Sequence, residues 1–196
     1  MRKMKINKKQ LILISSLFVI TFAVTALLRV KTDITYQVGQ GRVNAGVYAT
    51  LGDVCVYASV LILGFPWGAA VSAVGAALAD LVVGSKLYII GSLLVKTAMA
   101  FFAASLAMQC DSWKKCFVAA GVTELVMLAG YFVYDLVIVR EFLVAGQAFL
   151  INLAQGVVCA GLGAVVLHYV PIVHPELMPE IRRPVRRDED DGDVWN

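Results

Sequence analysis

Asp53, Asp80 and Lys96 sit within an apolar stretch between residues 44 and 106, among glycines and alanines. Ionisable groups in apolar, membrane-length runs are costly, so they mark a functional site by default. At about 1.5 Å of rise per residue, Asp53 falls about 10 Å below the outer end of its run and Lys96 roughly 13 Å deep, while Asp80 falls near an outer mouth. Asp53 and Lys96 therefore share a depth, and an ion pair between them is expected. Such a pair serves either helix packing or ligand contact, and the spacing leaves both open.

Further along, Glu124, Leu128, Tyr131 and Asp135 follow i, i+4, i+7, i+11, one helix face. Tyr134 lies beside Asp135. Asn152 and Gln155 follow i, i+3, again one face. Tyr131, Asp135, Asn152 and Gln155 all fall in the outer half of their runs, whereas Glu124 lies deeper and suits packing or coupling. Tyrosines, amides and a carboxylate at one depth suit a small polar heterocycle, with rings stacking on its face and polar groups fixing its edge. The competing reading is interhelical hydrogen bonding. The candidate ligand set is Tyr131, Tyr134, Asp135, Asn152, Gln155, Lys96 and Asp53.

Other chemistries fit poorly. Cys55 and Cys159 lie in apolar runs, and Cys110 and Cys116 flank a short loop with no further ligands to complete a zinc site. No metal and no cofactor are expected. No Gly-x-x-x-x-Gly-Lys-Ser/Thr occurs, so the chain has no nucleotide site of its own. An intramembrane aspartyl enzyme would need two converging carboxylates. Thr50-Leu51-Gly52-Asp53 lacks the first glycine of that signature, and Lys96 opposes a shared proton. Neither His168 nor His174 lies in the outer half, which disfavours a serine hydrolase. A non-enzyme is expected.

These residues must be positioned by membrane helices. Of 196 residues, 60% are hydrophobic and 16% charged, against about 45–50% and about 25% for soluble domains. The fold class is all-α, a polytopic membrane bundle of six transmembrane helices, with spans at 11–30, 46–63, 66–83, 87–108, 117–139 and 145–169. The second and third join at a tight turn, Gly64-Phe65-Pro66. In the third, Gly68, Ser72 and Ala76, with Gly75 and Ala79, form small-residue faces suited to close packing.

An even number of spans places both termini on one side. Eleven basic residues, at the N-terminus, at Lys114 and Lys115, and in the tail, face five on the other side, at Arg29, Lys31, Arg42, Lys86 and Arg140. That bias orients both termini toward the cytoplasm of a multi-pass cell-membrane protein in the lipid bilayer. It is not a nucleic-acid footprint. Residues 1–170 are expected to form one six-helix membrane domain. Residues 171–196, with a basic cluster and an acidic run, are expected to be a disordered cytoplasmic tail. The segment 31–45 is a long outer loop, able to cover a site open to the outside.

Four segments together resemble the S component, the substrate-binding membrane subunit, of energy-coupling-factor (ECF) vitamin transporters. They are Leu51-Gly52-Asp53 with Gly64-Phe65-Pro66-Trp67-Gly68; Gly75-Ala76-Ala77-Leu78-Ala79-Asp80-Leu81; Leu94-Val95-Lys96; and Glu124 with Gly130-Tyr131-Phe132 and Asn152-Leu153-Ala154-Gln155. Thr97 stands where the family often has glycine. The expected Ala-x-x-x-Ala contact motif is missing from span one, whose comparable region is Ser15-Ser16-Leu17-Phe18-Val19. The closest branch is the riboflavin type. The resemblance implies capture of a small-molecule vitamin or precursor, of riboflavin, pyridoxine or pyrimidine type. It implies a pocket among spans four to six. Its partners would be a transmembrane coupling subunit and two ATPase subunits of an ECF module. A solitary vitamin facilitator is the alternative.

Overall fold

The structure, a computed structural model, describes residues 8–38, 40–138 and 140–177. Helix α1 (Lys8–Leu27) leads into four short strands, β1 (Arg29–Lys31), β2 (Thr35–Val38), β3 (Gly41–Asn44) and β4 (Tyr48–Thr50). Five helices follow: α2 (Gly52–Leu63), α3 (Trp67–Val83), α4 (Tyr88–Ala107), α5 (Trp113–Ile138) and α6 (Phe142–Val173). A 3-10 turn, Pro175–Leu177, comes last. The architecture is a helical membrane bundle. Four helices, α1, α4, α5 and α6, are long and apolar enough to cross a membrane, while α2 and α3 are shorter apolar helices.

The segment expected as an outer loop is instead two small antiparallel sheets. β2 pairs with β3 in the register Tyr36 to Val43 and Gln37 to Arg42. β1 pairs with β4, Arg29 opposite Thr50 and Lys31 opposite Tyr48. Two residues separate β2 from β3, a length that favours a hairpin. The strands are short and polar, so their period-2 pattern is faint. Thr32 Oγ1 donates to the Val47 carbonyl at 2.6 Å, and the Asn44 side chain accepts from the Gly46 N–H at 2.7 Å, fixing the corner that leads into β4.

The second expected span, 46–63, is corrected by the same feature. Ala45 and Val47 are buried like core residues, but the backbone at 48–50 is paired with β1, and the helix starts only at Gly52. Hydropathy registers the burial and not the strand pairing. Asp53 thus stands in the first turn of α2 rather than well along a helix. α5 begins four residues earlier than expected, and α6 extends past 169 to Val173 with Pro171 in its last turn. A proline there removes one bond near a frayed end, and the His174 N–H still bonds to the Val170 carbonyl at 2.9 Å. Most of the expected tail, from residue 178 on, lies outside the described residues.

α5 packs along α6, α3 packs against both α4 and α1, and α2 sits among α1, α3, α4 and α6. The turn Gly64-Phe65-Pro66 brings α3 back against α2, with Gly64 at φ 69° and a cis Phe65–Pro66 peptide. The helices meet almost backbone to backbone: a Cβ on Gly68 would lie 2.7 Å from Val60 Cα. Tyr57, fully buried at the bundle centre, donates to Glu124 Oε1 at 2.8 Å, with the Ala120 carbonyl 3.0 Å away. Glu124 is therefore an interhelical tie between α2 and α5. Apolar side chains such as Leu11, Ile12, Leu94, Leu125 and Val157 cover the outside, as expected where the surrounding medium is lipid.

Candidate ligand-binding site

A cavity lies at the end of the bundle that carries the strands, beneath the segment Gly46 to Thr50. It holds about 430 Å³ of space not filled by atoms, part of it open to the outside, within the range of about 300–1,000 Å³ usual for ligand pockets. Each helix wall presents residues one or two turns apart. α4 contributes Tyr88, Ser92 and Lys96, at i, i+4, i+8 on one face; α3 contributes Ala76 and Asp80; α6 contributes Asn152 and Gln155; α5 contributes Tyr131.

The floor is a charged network. The Lys96 ammonium is ion-paired with Asp53 Oδ1, and both groups are buried. Gln155 Nε2 donates to Asp53 Oδ2 at 2.6 Å. Gln155 Oε1 accepts the Thr50 backbone N–H at 2.7 Å. One amide thus ties α6 to α2 and to the covering strand. Lys96 also lies 5.5 Å from the Tyr131 ring centroid, in cation–π range.

The walls are mostly engaged. The Tyr88 hydroxyl donates to Asp135 Oδ1 at 2.6 Å, and its ring meets that of Tyr131 edge-on at 6.1 Å. Ser92 Oγ and the Tyr131 hydroxyl share a hydrogen bond at 2.8 Å. The Tyr48 hydroxyl donates to Asp80 Oδ1 at 2.5 Å, fastening the cover to α3.

Three polar groups in the cavity wall have no hydrogen-bond partner among the described residues: Thr25 Oγ1, Asp80 Oδ2 and the Asn152 amide. Asp80 is almost fully buried, and its Oδ2 has no hydrogen-bond partner while Ser92 is turned to Tyr131. Asn152, also buried, has no hydrogen bond to any described residue. Buried polar groups are rarely left so. A carboxylate oxygen accepts, and an amide both donates and accepts.

Of the seven candidates, Lys96, Tyr131, Asn152 and Gln155 line the cavity together. Asp53 lies just below, behind Lys96 and Gln155. Asp135 stands behind Tyr88. Tyr134 is outside the lining, its hydroxyl bonded to the Leu87 carbonyl at 2.5 Å and its ring against Gly91. Both support the α4 wall. The α5 face is as expected, with Glu124, Leu128, Tyr131 and Asp135 all buried.

Asp80, Tyr88, Ser92, Tyr48 and Thr50 were not among the candidates. Asp80 stands in the last turn of α3, near the end of its helix as expected, with Tyr48 of the cover bonded to it. The spacing of Tyr88, Ser92 and Lys96 was a readable signal. Tyr48 and Thr50 carried none, since their role depends on strand pairing.

A multi-pass helical membrane protein with a partly enclosed polar cavity beneath a strand cover has the architecture of a membrane binding protein. Asp53 is engaged by Lys96 and Gln155, and Asp80 Oδ1 by Tyr48. Over residues 5–170 the chain matches the family of ECF-type riboflavin transporter S components, and it belongs to that family. It is the substrate-binding S component of an ECF-type transporter and not an enzyme. Membership implies a vitamin substrate and an energising ECF module. Neither the comparison with curated proteins nor that with solved structures gave a match.

Proposed function

We propose that the chain captures riboflavin from outside the cell, in the cavity beneath Gly46 to Thr50, and hands it on for ATP-driven uptake. The observation carrying this reading is that Asp80, whose buried Oδ2 has no hydrogen-bond partner, and Asn152, which makes no hydrogen bond among the described residues, line one cavity beside Tyr88 and Tyr131. Riboflavin's flat ring ends in an imide N–H between two carbonyls. The N–H suits Asp80, a carbonyl suits the Asn152 amide, and the ring suits the tyrosines. Lys96 and Tyr131 complete the contact. Gln155 and Asp53 hold the floor, and Asp135 and Tyr134 hold the α4 wall. The family description supports riboflavin over pyridoxine or pyrimidine ligands.

In this reading α2 and α3 also traverse the bilayer, making six spans with both termini cytoplasmic. Twelve residues in α2 reach about 18 Å, and the covering strand makes up the remaining depth. Residues 1–170 act as one ligand-binding unit and 171–196 as a cytoplasmic tail. Transport relies on a transmembrane coupling subunit and two ATPase subunits; a chain that imported vitamin without them would be a facilitator.

Mass spectrometry of small molecules retained after purification in mild detergent tests the ligand. Riboflavin is expected, and a pyridine or pyrimidine vitamin in its place would redirect the assignment. A cysteine at Arg42 should react with an impermeant thiol reagent on intact cells; labelling only after lysis would reverse the orientation.

A further inference from the structure

At the end of the bundle away from the cavity, α4 and α5 leave an open groove of about 560 Å³. Its walls are the apolar side chains of Leu106, Val118, Ala119 and Val122, and Lys114 and Lys115 stand at its rim with Gln109. Lys114, Val118 and Val122 are spaced i, i+4, i+8 on α5, a stripe about 12 Å long with its charge at one end. Val118 is 63% exposed, so no protein segment among the described residues fills the groove.

The rim lies at headgroup level on independent grounds. Trp113 and Tyr169, both substantially exposed, face each other with ring centroids 6.2 Å apart, and His168 packs against both. Exposed tryptophan and tyrosine gather where membrane helices leave the hydrocarbon. Lys115 is paired with Asp111 at 2.5 Å. Lys114 has no ion-pair partner among the described residues. It stands in the first turn of α5, where the backbone N–H groups also favour an anion.

We propose that this groove holds an anionic phospholipid of the surrounding bilayer, its headgroup at Lys114 and the upper part of one acyl chain along Val118 and Val122. A cationic rim over an apolar stripe complements a negative headgroup joined to a hydrocarbon chain. A zwitterionic lipid offers the same chain without the net charge. The inference uses the membrane embedding of α4 and α5, and not the identity of the vitamin.

Trp113 supplies the probe. In a Trp67→Phe, Trp195→Phe background it is the remaining tryptophan. The full chain is reconstituted in phosphatidylcholine vesicles containing either dibrominated phosphatidylglycerol or dibrominated phosphatidylcholine, and quenching is titrated. Phosphatidylglycerol should be preferred by about fivefold, the increment of one lysine near the surface. Lys114→Gln should bring the two lipids to parity, and Lys114→Arg should keep the preference. Equal quenching by both lipids in the parent protein would overturn the proposal, as would a preference that survives Lys114→Gln.

Discussion

Gln155 on α6 donates to Asp53 on α2 at 2.6 Å, while its carbonyl oxygen accepts the Thr50 N–H of the covering strand at 2.7 Å. A residue with that geometry has both ends of its amide in use. Gln155→Leu leaves a carboxylate oxygen and a backbone N–H unpaired in a dry interior. It should lower stability by about 1–3 kcal/mol without ligand present, the usual penalty for stranding a buried partner. Thermal unfolding of the purified protein in mild detergent measures this. An unchanged midpoint would mean that water takes over both bonds.

The ion pair below it makes a stronger claim. Lys96→Met leaves Asp53 charged in the interior and should cost about 3–5 kcal/mol. Lys96→Met with Asp53→Leu should recover much of that, because no uncompensated charge remains. If the double variant is as unstable as the sum of the singles, the two residues act independently and the pairing has no energetic weight.

The cover has its own fastening. Tyr48→Phe removes the hydroxyl that donates to Asp80 at 2.5 Å and little else. In the reading proposed here the vitamin should then leave faster, by roughly five- to tenfold for one hydrogen bond of about 1–1.5 kcal/mol. Stopped-flow displacement of bound flavin reads the rate. A dissociation rate equal to that of the parent would show that Gly46 to Thr50 does not gate the cavity.

Close helix packing gives a prediction independent of ligand. A side chain at Gly68 would meet the backbone of Val60 and Ser59, with Val60 Cα 2.7 Å from the new Cβ. Backbone cannot turn aside as a flexible side chain can. Gly68→Val should therefore abolish accumulation of folded protein, whereas Gly121→Ala, where a Cβ meets nothing within 4 Å, should be tolerated. Monodispersity on size exclusion separates the two outcomes.

The parts legible in the sequence were those in which one helix, or one electrostatic necessity, sufficed. The buried face of α5 follows from the 3.6-residue period alone. The Asp53–Lys96 pair follows because a charge in an apolar bundle needs a partner at its own depth. Gln155 was recognised as a site residue, but its two partners belong to α2 and to a strand whose existence hydropathy did not reveal. Val47 looks like the start of a span because it is apolar, although residues 48–50 pair with β1 as strand and the helix starts only at Gly52.

The most direct test is a riboflavin titration of the purified chain, followed by flavin fluorescence, in the parent and in Asn152→Ala. The parent should bind with a saturable one-to-one quench. Asn152 has no hydrogen bond to lose among the described residues, so its substitution should leave unfolding nearly unchanged and weaken binding by about 1–3 kcal/mol, on the order of tenfold or more in Kd. Undiminished riboflavin affinity in Asn152→Ala, or no flavin binding by the folded parent, would contradict the assignment of this cavity as the riboflavin site.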